Sequence, residues 1–222
     1  MIQQSTLTFL EELKENNYKE WFHEHKALYQ RARENFLDLT HQLIEQIGEF
    51  DEGVLTSNLE PKRCIMRINR DIRFSKDKTP YKTNFFCTIK KGGKKSPYGG
   101  YYLSISPNES FIGAGAYMPE KPVLDKIRLH LAQSYDSWLA LIQNKDFLKH
   151  YPEGVKASGK LTRPPRGYEK DDPAIQYLKF KGFYTQKFLT SQALSSQNMV
   201  QEVEKAFRAV HPLVTFLNEG ID

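Results

Sequence analysis

Cysteine is scarce: Cys64 and Cys87 are the only two in 222 residues, and they lack the CxxC spacing of a zinc or redox motif. They could approach each other if their strands pair, but two buried thiols in a reducing cytoplasm are the expected state. Long apolar runs are missing too. Nothing approaches the roughly 18 apolar residues of a membrane span, so no membrane partner is expected. The opening MIQQSTLTFLEELKENN has no basic stretch followed by an apolar block, which argues against a signal peptide. The six histidines are scattered. His23 and His25 flank Glu24, yet two residues apart on a helix their rings diverge by about 200°, so no metal site is expected. No G-x-S-x-G elbow appears. KGGKKSPYGG lacks the spacing of a phosphate loop, and GAGAY is too short for a dinucleotide fingerprint. Glycines in GAGAY are instead expected to let a backbone or a ligand come close. No cofactor class follows from any of these stretches.

Apolar residues make up 39% and aromatics 13%, enough for a real core in a chain of this length. The net charge of +5 is unevenly placed. Between Lys62 and Lys95 there are twelve Lys or Arg and two Asp, a local balance of +10, which leaves −5 for everything else. One basic block on a slightly acidic body makes a positive field that draws anions.

The hydrophobic period identifies the elements. Phe22, Tyr29, Phe36, Leu43 and Phe50 recur every seven residues and predict a long amphipathic helix over 19–49. The period then becomes two: CIMRINRD, NFFCTIKK, YYLSISP and SFIGAGAYMP read as four strands with short separators. Helical patterns follow over 121–133, 137–150, 174–179 and 198–218, with FYTQKFLT as a further strand. No internal repeat interrupts residues 1–222, which read as a single domain. The fold class expected is α+β, an antiparallel meander sheet of four or more strands packed by flanking helices.

NNYKEWF (16–22), RINRDIRFSKDKTPYKTNF (67–85), GYYLSISP, GAGAYMP and LTRPPRGYEKDDP occur in this order along nearly the whole chain. In this the chain resembles the family catalogued as domain of unknown function 2461. The resemblance implies a single-domain protein of bacterial type and carries no established activity, cofactor or catalytic residue, so function has to be argued from the residues.

If CIMRINRD is extended, Ile68, Ile72 and Met66 face the core with Arg70, while Arg67, Asn69, Asp71 and Arg73 share the other face. A row of guanidinium groups, an amide and a carboxylate can hold a planar anion bidentately. The loop behind it adds Lys76, Asp77, Lys78 and Lys82, stiffened by Pro80. Arg163 and Arg166, on the proline-rich stretch, could form a lid over this site, although a plain surface crossover is the commoner role for such a loop. The expected ligand is therefore an anionic, phosphate-bearing small molecule at the Arg67–Lys82 motif. Hydrolytic or transfer chemistry there would use Asp71 or Asp77 as base and Tyr81 as proton donor. Two alternatives stand beside this. Lys90, Lys91, Lys94 and Lys95, interleaved with Tyr81, Phe85, Phe86, Tyr98, Tyr101 and Tyr102, could bind nucleic acid weakly and without sequence preference. Or the Arg, Asp and Lys residues are ion pairs that only tie a loop to the sheet, in a domain whose protein partner the sequence does not name.

Overall fold

The computed structural model describes all 222 residues. The helices α1 (Gln4–Glu15), α2 (Lys19–Glu24) and α3 (Lys26–Gly48) open the chain, followed by single turns α4 (Glu52–Leu55) and α5 (Pro61–Cys64). Strands β1 (Phe85–Ile89), β2 (Gly100–Ile105) and β3 (Ser110–Ala116) form the meander. After them come α6 (Lys121–Gln133), α7 (Tyr135–Ile142), α8 (Lys145–His150), β4 (Lys156–Ala157), α9 (Ile175–Leu178), β5 (Phe183–Leu189), α10 (Ser191–Ser195) and α11 (Met199–Glu219). The sheet is antiparallel throughout, in the order β1-β2-β3-β5-β4. The fold is α+β, as the periodicities predict. No helix is long and apolar enough to cross a membrane.

Two apolar stripes explain the packing. On α3, Ala32, Phe36, Leu39, Leu43 and Ile47 recur every three or four residues and are all buried. On α11, Val200, Val203, Phe207, Val210, Val214 and Leu217 do the same. Both helices lie on one face of the sheet, against Phe85, Cys87, Ile89, Tyr101, Leu103, Ile105, Ile112 and Ala114. These buried side chains belong to one continuous cluster. The opposite face carries Phe86, Tyr102, Phe111, Tyr184, Gln186 and Phe188 and is only partly covered. Strand alternation therefore separates neighbours: Tyr101 enters the core and Tyr102 faces the other way. Asn218 of α11 fixes the start of β2, accepting from the Gly99 amide (2.8 Å) and donating to the Gly99 carbonyl (3.3 Å).

Two expectations need correction. The helix over 19–49 is broken at His25, whose ring stacks on Trp21 with 4.1 Å between centroids. CIMRINRD is not a regular strand. Pro61 opens the turn α5, which absorbs Cys64, and the chain beyond meets β1 only through a bridge between Ile65 and Cys87. From there it folds back on itself, with the Arg70 amide donating to the Pro80 carbonyl (2.9 Å) and the Lys82 amide to the Ile68 carbonyl (2.8 Å). Ile68 is buried as expected, but Met66 is exposed and Ile72 is only half-buried.

Candidate functional site

The two carboxylates of the central motif act first on their own backbone. Asp71 accepts from the Arg73 amide (3.3 Å) and Asp77 from the Thr79 amide (2.9 Å), the side-chain turns that Asp favours two residues ahead. Each also holds a guanidinium. Asp71 takes Arg73 in a fork, Nε to Oδ1 at 3.0 Å and Nη2 to Oδ2 at 2.7 Å, on the protein surface. Asp77 takes Arg70, which bonds the Thr79 hydroxyl as well. The Thr79 amide, then Arg70 and the Thr79 hydroxyl, pull the Asp77 carboxyl down to about 2. The Asp71 carboxyl is also lowered, mainly by the Arg73 guanidinium. Lys78 donates to the Ile72 carbonyl (2.9 Å). Arg67, Asn69 and Lys76 are exposed, and neither cation has an acidic partner within ion-pair distance.

Tyr81 is buried, its ring stacked 4.0 Å from that of Phe22, and Asn17 holds its backbone by two hydrogen bonds of 2.9 and 3.0 Å. The stretch 16–22 and the central motif thus meet in space. Arg163 and Arg166 are exposed on the segment that leaves β4. The chain around Arg67 flanks β1, at the other edge of the sheet. Four strand spacings of about 4.8 Å put those edges roughly 19 Å apart. The sheet topology thus does not bring the two arginines together with Arg67–Lys82.

What gathers near β1 is a group of cations. Lys82 Nζ donates to the Arg67 carbonyl (3.0 Å) and Lys94 Nζ to the Ile65 carbonyl (2.9 Å). Burial lowers the Lys82 ammonium first, and the charges of Arg67 and Lys94 lower it further. The lysine hairpin between β1 and β2 is pinned rather than loose, since Lys91 also reaches Asp222 at 2.8 Å.

That hairpin forms one wall of a cavity of about 860 Å³ on the open face of the sheet. The floor is Phe86, Tyr102, Phe111, Gly113 and Tyr184, one or more from each of four adjacent strands. The facing wall is the turn from Tyr117 to Glu120 with Val123 of α6. Phe86 stacks with Tyr102 at 6.2 Å and contacts Phe111 at 6.4 Å. The Tyr102 hydroxyl donates to the Gly115 carbonyl, and burial pushes it up to about 12, so it stays neutral. The glycines of GAGAY are required here: a side chain on Gly113 would meet the Thr185 carbonyl, and one on Gly115 the Phe183 carbonyl. Two lysines line the cavity, Lys95 and Lys90. Lys90 Nζ donates to the Ser96 carbonyl (2.7 Å), and burial lowers its ammonium.

None of Arg67–Lys82 lines this cavity. Its signal was nevertheless present in the alternation of the strands. Of the aromatics interleaved with lysine, Tyr81, Phe85 and Tyr101 are buried in the core, while Phe86, Tyr98 and Tyr102 line the cavity.

A family model described as "Conserved hypothetical protein (DUF2461)" matches residues 5–216. The chain belongs to this family. No curated protein and no solved structure matches it. For this member of the family, the function has to come from the geometry.

Proposed function

We propose that the protein binds an anionic, phosphate-bearing ligand with a planar ring, and that the ring lies on the open face of the sheet. The observation that carries this reading is one cavity lined both by an aromatic floor and by Lys90 and Lys95. Cavities of this size enclose small molecules, and a few placed polar groups orient them. Phe86, Tyr102 and Phe111 offer ring faces, and an amine at the wall meets the anion. The cations Arg67, Lys82 and Lys94 belong to this reading as an attracting field: the Met66 amide bonds the Phe86 carbonyl (2.8 Å), so their segment adjoins the floor. Cys64 and Cys87, free and buried as neighbours, support a reducing compartment such as the cytoplasm.

A second reading has its own observation. The aromatic row leaves the cavity, because Phe111 also contacts Phe188, which is half exposed. A row of that kind stacks successive bases of a single strand.

Calorimetry with adenosine monophosphate, ribose phosphate and a short oligothymidylate distinguishes the two. The first reading expects the mononucleotide to bind, with roughly tenfold loss for Lys95→Ala, which corresponds to about 1.4 kcal/mol. Tyr102→Ala removes a stacking face and should cost about 1–3 kcal/mol, the range measured for base stacking. Binding of the oligonucleotide alone would favour the second reading, and heat from none of the three would sink both.

A further inference from the structure

A second cleft, of about 570 Å³, opens on the other side of the sheet, between α4 and the C-terminal half of α11. Three elements bring their polar side chains together at its base. Asp51 precedes α4, Tyr101 comes up from the core face of β2, and His211 stands on α11. The Tyr101 hydroxyl lies 2.8 Å from Asp51 Oδ2 and 2.8 Å from His211 Nδ1. Asp51 Oδ1 accepts from the Val54 amide (3.1 Å), so both its oxygens are acceptors.

The protons in this chain can be assigned by elimination. A tyrosine hydroxyl carries one hydrogen and a carboxylate carries none. Tyr101 must therefore donate to Asp51, and its oxygen can meet His211 only by accepting from an Nδ1–H. The neutral imidazole then has its lone pair on Nε2, the nitrogen turned away from the relay. Thr215 Oγ1 is 3.4 Å from Nε2, too long for a strong bond, which leaves the lone pair available in the cleft. The ring is held at an angle to Phe50, 5.2 Å away, and the Arg208 guanidinium lies over the Phe50 ring.

We propose that this cleft is a catalytic site in which His211 Nε2 is the general base for hydrolysis of a small neutral or cationic ester. Water attacks the acyl carbon and gives one proton to Nε2. The tetrahedral oxyanion then collapses, and the leaving alkoxide recovers that proton from the imidazolium. The balance is ester plus water to acid plus alcohol. Tyr101 and Asp51 are positioning residues, holding the tautomer and the ring. The choice of substrate charge follows from the lining. Glu52, Glu219 and Asp222 stand there against Lys91, which is itself tied to Asp222, so an anionic substrate is repelled. Burial lowers the His211 imidazolium below its ordinary value; Asp51 raises it in part, and the Arg208 charge lowers it further. The site does not depend on the open-face cavity.

The test uses the full chain with acetylcholine, p-nitrophenyl acetate and p-nitrophenyl phosphate, the first followed by acid release. Expected is hydrolysis of the two esters but not the phosphate, at a rate that rises with pH and levels off near neutrality. The charged or titratable groups around the ring are Asp51, Tyr101 and Arg208, then Glu52 and Lys91 across the cleft, and Glu219 and Asp222 at the end of the wall that carries His211. His211→Asn should lower the ester rate about 10²-fold, as loss of a general base does. Tyr101→Phe keeps the ring packing but leaves Nδ1–H facing Asp51 directly, 3.7 Å away in the present geometry. The midpoint of its pH profile should move up, a change that a merely structural role would not produce. Nitrogen-15 spectra of the wild type check the tautomer without any variant. The proposal is overturned if the wild type hydrolyses neither ester above buffer, if His211→Asn is equally fast, or if Nε2 carries the proton at pH 7.

Discussion

Asp77 shows at the residue scale why two carboxylates stand among so many cations. It makes a turn and holds Arg70, and its depressed acidity records both. A carboxyl whose folded pKa lies below its unfolded value stabilises the fold above the ordinary carboxylate range, near 4, and ceases to as pH falls through about 2. Thermal melts between pH 5 and pH 2 should therefore fall less steeply for Asp77→Asn than for the wild type, with the two converging at the acid end. Arg73 gives the opposite expectation. Its pair with Asp71 is exposed on both sides, so Arg73→Ala should leave the melting temperature unchanged. A large drop would mean that the pair anchors the fold. The sequence made the Asp71–Arg73 pair visible because the two lie two apart, whereas Arg70 reaches Asp77 across seven positions. It could not show that Asn17, 64 residues from Tyr81, would hold the backbone of the proposed proton donor.

Among the elements, β3 is held to β5 at a separation that only glycine allows. Gly115 has φ +124° and no room for a side chain against the Phe183 carbonyl. Gly115→Ala should lower stability by about 1–3 kcal/mol for backbone strain alone, and by more as the strands part. Gly154→Ala is the control, because φ there is +64° but nothing lies within 4 Å. Urea unfolding should show a larger loss for Gly115→Ala at similar m-value. The sheet and helix α6 were legible because period two and period 3.6 differ over windows of that length. The edge segment was not. Residues 64–71 alternate as a strand does, but alternation does not say how far a partner runs alongside, and here the pairing stops at single bridges, Ile65 to Cys87 and Asn69 to Tyr81. The break at His25 was equally hidden, since the apolar spacing continues across it.

For the whole molecule, the segment that carries the basic block flanks β1 and supplies Lys90 and Lys95 to the lining of the open-face cavity, while the other cleft carries more acids than cations. Affinity for long nucleic acid should therefore be electrostatic, falling steeply with salt and nearly gone by about 200 mM in a gel-shift series. Sequence-selective binding that survives that salt would contradict a field-driven contact. Charge placement was readable from the chain, whereas both cavities depend on which strands become neighbours. Lys90 and Lys95 reach the same cavity as Tyr184 only because β5 returns to pair with β3.

Tyr101 and Tyr102 lie back to back on β2, and this makes the sheet a shared partition between the two proposed sites. A one-residue slip of β2 during folding would exchange the two rings, taking Tyr101 away from His211 and Tyr102 away from Phe86 together. The Asn218 side chain, gripping both backbone groups of Gly99 immediately before that strand, serves as the molecule's reading-frame mark. Errors in frame would show up as simultaneous loss at both faces, in equal proportion, in chains that otherwise keep their helices.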